Sequence, residues 1–137
     1  MKTLYFDLIG GISGDMTVAA LLDLGVSFDF LKRELKKISV AGYCLKKRHA
    51  QRGHVRAAIF SVTISYPKNY SYLQIVKLIK TSRLSNAVKT NILKIYEALS
   101  KAERRVHGHR HDDLDFKQLG DIDSIIDIAA TCIALEK

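Results

Sequence analysis

The chain has 137 residues, and 22 Lys and Arg against 14 Asp and Glu give a formal net charge of +8. With 47% hydrophobic and 26% charged residues, it is neither disordered nor fibrous, and its length predicts one domain over residues 1–137. No apolar run is long enough to span a membrane and no leader with a cleavage site is recognisable. Cys44 and Cys132 are too few and too far apart for a disulfide framework, so a reducing, cytoplasmic setting is expected and both are read as core residues. The cation surplus keeps nucleotides, phosphates and nucleic acid in play as partners.

Residues Thr3–Ile9 read as a first strand, apolar except for Asp7. Gly10, Gly11 and Gly14 then mark a tight loop. A helix is expected over Asp15–Leu24, with Met16, Ala19, Ala20 and Leu22 inward and Gly25 as its stop. Ser27 caps a second helix whose Phe28, Leu31, Leu35 and Ile38 share one face. A hairpin follows, Gly42–His49 with Val55–Tyr66, turning around Gln51-Arg52-Gly53. Phe60, Val62, Ile64 and Tyr66 alternate with Ser61, Thr63 and Ser65, as in an antiparallel sheet with one wet face.

Ser71–Lys80 predicts a short helix with Tyr72, Ile75, Val76 and Ile79 inward. Ser85 opens a long one, and Val88, Ile92, Ile95, Leu99, Ala102 and Val106 read as a heptad seam ended at Gly108. A short extended piece, Leu114–Leu119, leads to a last helix over Asp123–Glu136, apolar nearly all round and so buried. This order predicts an α+β fold, a two-layer sandwich with a mixed or antiparallel sheet, its first part ferredoxin-like and its C-terminal end a helical extension.

Three groups could carry chemistry. The loop Gly10–Asp15 joins a strand to a helix start, where free N–H groups of Gly11, Ser13 and Gly14 can hold an anion. Asp15 repels a phosphate there unless a cation lies between, and Asp7 lies on the other side of the loop. Asp123 and Asp127 stand four apart on one face of an apolar helix, which calls for a cation, a basic partner or an exposed edge. His107, His109 and His111 form an alternating triplet that suits a borderline metal such as nickel or zinc, or a solvated helix end. Lys46, Lys47, Arg48, His49, Arg52, His54 and Arg56 make the hairpin basic, but no aromatic platform interleaves with them, so nucleic acid is disfavoured.

Leu4-Tyr5-Phe6-Asp7, running through Gly11-Ile12-Ser13-Gly14-Asp15-Met16 to Gly25, resembles the opening of one family. Val106-His107-Gly108, Gly120 and Asp123-Ser124-Ile125-Ile126-Asp127-Ile128 are similar to a later part of it. The family is the nickel insertion proteins that complete the nickel-pincer nucleotide cofactor used in lactate racemase maturation. The resemblance covers essentially the whole chain but only the N-terminal region of the family's longer proteins. It implies a lyase-type, CTP-dependent cyclometallation that places nickel into pyridinium-3,5-bisthiocarboxylic acid mononucleotide, with Mg or Mn accompanying CTP. In that reading Asp7, Asp15, Asp123 and Asp127 are the expected catalytic carboxylates, with His107 in the same cleft and Gly11, Ser13 and Gly14 at a bound nucleotide, while the triplet His107, His109 and His111, read from its spacing, is the expected set of metal ligands. The partners implied are an anionic mononucleotide and a second polypeptide carrying the remaining part, or a homo-oligomer. Where the family carries histidines, Pro67–Tyr72 has none and Asp115-Phe116-Lys117-Gln118 stands in place of a His-rich run. The alternative expectation is a non-catalytic metal- or nucleotide-binding or assembly module.

Overall fold

A computed structural model describes residues 3–107 and 119–137. Among the described residues there are five helices and one hairpin: α1 (Gly14–Asp23), α2 (Phe28–Leu35), β1 (Tyr43–Arg52), β2 (Val55–Ile64), α3 (Tyr72–Thr81), α4 (Asn86–His107) and α5 (Ile122–Glu136). The α+β class is as expected, and the sheet among the described residues is the antiparallel pair β1–β2.

The helices start where local chemistry says they should. The Ser27 hydroxyl accepts from the Phe30 N–H at 3.3 Å, and Ser71 with Gln74 makes a reciprocal capping box at α3. At α5 the cap is Asp121, whose carboxylate accepts from the Ser124 N–H at 2.7 Å. Ser85 serves α4 twice, accepting from the Val88 N–H and donating to Glu136 at 2.7 Å.

β1 runs on past the expected His49 to Arg52, β2 stops at Ile64 short of the expected Tyr66, and the two meet through a two-residue turn, Gly53-His54, with Arg52 opposite Val55. Gly53 has φ +58 and no non-glycine residue among the described ones has positive φ, which fits a type II′ turn and its need for glycine first. One face of the hairpin, with Phe60 buried and Leu45 and Val62 partly so, lies on the helices. The other carries Lys46, Arg48 and Cys44 to solvent, so Cys44 is exposed rather than core because its strand parity points it outward.

The centre of the core is α5. Ile125, Ile126, Ala129 and Ala130 are fully buried, and α1, α2, α4 and β2 all pack on this helix. Each buried isoleucine contributes roughly 1.5–3 kcal/mol. The segment entering α5 is tied down by a Tyr70 N–H bond to the Gly120 carbonyl at 2.8 Å and by a bridge between Asn69 and Asp121.

Three further expectations are corrected. Thr3–Ile9 forms no strand; it is an arm that pairs with nothing in the sheet, and Tyr5 and Ile9 are 84% and 91% exposed. Met16 and Ala20 face outward on α1 while Val18, Ala19, Leu21 and Leu22 face in. On α4 the buried line is Val88, Ile92, Tyr96 and Ser100 rather than the heptad seam: a straight helix on a globular core follows spacing of four, and Val106 is 76% exposed. Leu114–Leu119, apart from Leu119, and Gly108 lie outside the described residues.

Candidate functional site

The two helix starts that carry the acidic motifs come together. Gly14, the first residue of α1, lies against Asp127 of α5 so closely that a Cβ there would sit 2.4 Å from Asp127 Oδ2. Only glycine permits this approach, which explains why a glycine occupies a helical first turn. The Asp15 N–H donates to the Asp127 carboxylate. Asp15 itself accepts from the Met16 N–H at 2.8 Å and from the Ser13 hydroxyl. The first turn of α1 therefore already gives N–H groups to two carboxylates, and a phosphate at this helix start would need a cation between.

Asp15, Asp121, Asp123 and Asp127 converge at this junction. Asp127 is only 8% exposed, and its Oδ1 is buried with no hydrogen-bond partner among the described residues. Burial, then the charges of Asp123, Asp15 and Asp121, push its carboxyl up to about 7, against the opposing bond from the Asp15 N–H. Asp123 is raised as well, by burial first and then by Asp121 and Asp15. The basic partner considered for Asp127 is not found: no ion pair among the described residues involves any of the four. Nor do three His, Cys, Asp or Glu side chains among the described residues stand close enough to enclose a metal ion by themselves.

Asp7 lies on the exposed arm and lines a different hollow, of about 280 Å³, with Leu4, Phe6, Gly11 and Ile12. His107 ends α4, and His109 and His111 lie outside the described residues. The sequence reading passed over Asp23. Its Oδ2 accepts from the Ala58 N–H at 2.6 Å and its Oδ1 lies 3.5 Å from His49 Nε2, tying the end of α1 to the hairpin. A carboxylate in the apolar run Leu21-Leu22-Asp23-Leu24, at a helix C-terminus where the dipole disfavours it, was the available signal. Cys132 is buried, which pushes its thiol up to about 11 and keeps it unreactive. No helix among the described residues is long and apolar enough to cross a membrane.

A family model described as nickel insertion protein matches residues 4–137. A relative from Syntrophobacter fumaroxidans is 44% identical over 135 residues, which is 98% of this chain and 35% of the relative. A pyridinium-3,5-bisthiocarboxylic acid mononucleotide nickel insertion protein from Akkermansia muciniphila is 42% identical over 146 residues, 99% of this chain and 36% of its own length. One of the same name from Geobacillus kaustophilus is 38% identical over 146 residues, with 98% and 36% covered. The chain thus spans about a third of the length of these curated relatives. No solved structure matches it.

Proposed function

This chain belongs to the nickel insertion protein family, and we propose that it forms the N-terminal part of an enzyme that inserts nickel into pyridinium-3,5-bisthiocarboxylic acid mononucleotide. The observation that carries the reading is the contact between Gly14 and Asp127. It joins the two sequence blocks by which the chain resembles its family into one carboxylate-lined junction.

In this reading Asp127, with Asp15 beside it, holds a divalent cation that carries the phosphate of an anionic nucleotide, and Asp123 adds its negative charge nearby. The donor set fits: hard oxygen ligands suit Mg or Mn, which keep waters and substrate phosphates in their shell and so need only one or two carboxylates from protein. The orphaned Asp127 Oδ1 is a buried acceptor that such a cation or its water would satisfy. When bound, the cation supplies charge neutralisation for the phosphate; the protein's part is to fix the carboxylates between two packed helices. CTP, with Mg or Mn, is the proposed co-substrate, bound by the remaining two thirds of the family polypeptide. Nickel is the proposed cargo, presented by His107, His109 and His111.

Titration with Mn²⁺ followed by electron paramagnetic resonance tests the cation role. One saturable site is expected, lost in Asp127→Asn and weakened in Asp15→Asn, with unfolding midpoints showing both variants folded. Saturation at 100 times Kd should stabilise the wild type by about 2.7 kcal/mol. Equal Mn²⁺ binding by wild type and Asp127→Asn would refute the assignment. Absence of any Mn²⁺ or Ni²⁺ binding would favour the second reading, a non-catalytic assembly module.

A further inference from the structure

An apolar face runs along α1. Met16, Ala20 and Leu24 are spaced by four and form a ridge exposed to solvent. Two hollows share that ridge. One, of about 620 Å³, adds Ala19, Asp23 and four consecutive residues of β2, Ala57–Phe60. The other adds the arm Leu4–Leu8.

The β2 side of the first hollow is a strand edge. Consecutive residues point to opposite faces of a sheet, so a hollow touching four in a row lies along the edge. The register agrees. With Arg52–Val55 closing a two-residue turn, odd-numbered residues of β2 bond β1 and even-numbered ones turn their N–H and C=O outward. Ala58 is even-numbered, and its N–H indeed goes to Asp23 rather than to β1. Among the described residues no strand pairs with this edge. Beyond the ridge, Thr3–Ile9 has the composition of a buried strand and yet leaves Tyr5, Leu8 and Ile9 84%, 51% and 91% exposed. An apolar edge, an apolar ridge and an apolar arm left bare together exceed the scattered exposure of ordinary monomers.

The geometry points to a docking slot for an extended, apolar segment from the remaining part of the family polypeptide, which lies over the α1 ridge, adds to the free edge of β2 and covers the arm. The relatives supply the length: about two thirds of each lies outside the part that this chain matches. Main-chain bonding to an edge gives such a segment its affinity, and the hollows on either side of the ridge take its alternate side chains. This inference rests on family membership and not on the cation reading.

Amide hydrogen exchange on this chain and on the full-length Syntrophobacter fumaroxidans relative tests it. In this chain, residues 4–9 and the outward amide of Phe60 should exchange as fast as free peptide. In the relative the matching amides should exchange on the order of 100-fold more slowly. Aspartate at the relative's position aligned with Ala20 should restore fast exchange there while α5 stays protected. Ala20→Asp in this chain, where the residue is exposed, should change nothing. Fast exchange in both proteins overturns the proposal, as does protection in the relative that the aspartate leaves intact. Protection already present in this chain also overturns it, and its dependence on protein concentration would identify a second copy as the occupant.

Discussion

Gly14→Ala perturbs the contact on which the candidate site is built. The new Cβ would lie 2.4 Å from Asp127 Oδ2, 2.7 Å from its Cβ and 2.9 Å from its Cγ. Non-bonded carbons rest at about 3.5–4.0 Å, so α1 and α5 must part by about 1 Å. Val18, Leu22, Ile125, Ile126 and Ala129, 0–3% exposed, would loosen with them. A gap of roughly 0.5–1 Å already forfeits a quarter to a half of each dispersion contact. Overpacking of this kind costs about 1–3 kcal/mol, and the helix preference of Ala over Gly returns up to about 1 kcal/mol. The expected net loss is about 1–2 kcal/mol, read as a lower urea midpoint with an unchanged slope. Asp127→Ala removes the two carboxyl atoms from the clash but leaves Cβ in place, so the double variant should recover about 0.5 kcal/mol or more relative to additivity. Wild-type stability in Gly14→Ala, or strict additivity in the cycle, would refute the close approach.

The raised carboxyl of Asp127, at about 7 against 3.8, makes stability depend on pH. Between these values the native state holds a proton that the unfolded chain has released, so stability falls as pH rises from about 4 to about 7 and levels above, by at most about 4 kcal/mol. Asp127→Asn should flatten most of this fall and be the more stable protein at pH 8. Urea unfolding at pH 5 and pH 8 decides it, and a wild type that gains stability on the variant over that range contradicts the burial argument. At the start of α3, Ser71→Ala removes the acceptor for the Gln74 N–H and with it one half of the capping box. It should cost about 1 kcal/mol and speed amide exchange in the first turn of α3, with Ile79 unaffected. Unchanged exchange at Gln74 would show the cap to be dispensable.

Helix starts were legible because a cap is a local matter: Ser27, Ser71, Ser85 and Asp121 each satisfy an N–H group three residues away. The wet face of the hairpin and the buried α5 were legible from period alone. The buried line of α4 was not, because Ile95 and Tyr96 both fit a helical stripe and only the neighbouring α5 and Leu119 decide which is covered; Tyr96 reaches the Leu119 carbonyl at 3.5 Å. The arm failed for a related reason. Its residues have strand character, but a strand exists only when another edge takes its hydrogen bonds, and α1's ridge and β2's edge stand open beside it.

The sequence alone determined the helices, the hairpin, the +8 charge and the two acidic blocks with their family resemblance. Only the tertiary structure decided that these blocks meet, that Asp7 stands apart from them, and that Asp127 is buried while Asp123 beside it stays exposed. The reason is physical. A carboxylate's proton affinity and a glycine's necessity depend on distances through space between Gly14 and Asp127, which lie near opposite ends of the chain. No spacing along one helix encodes them.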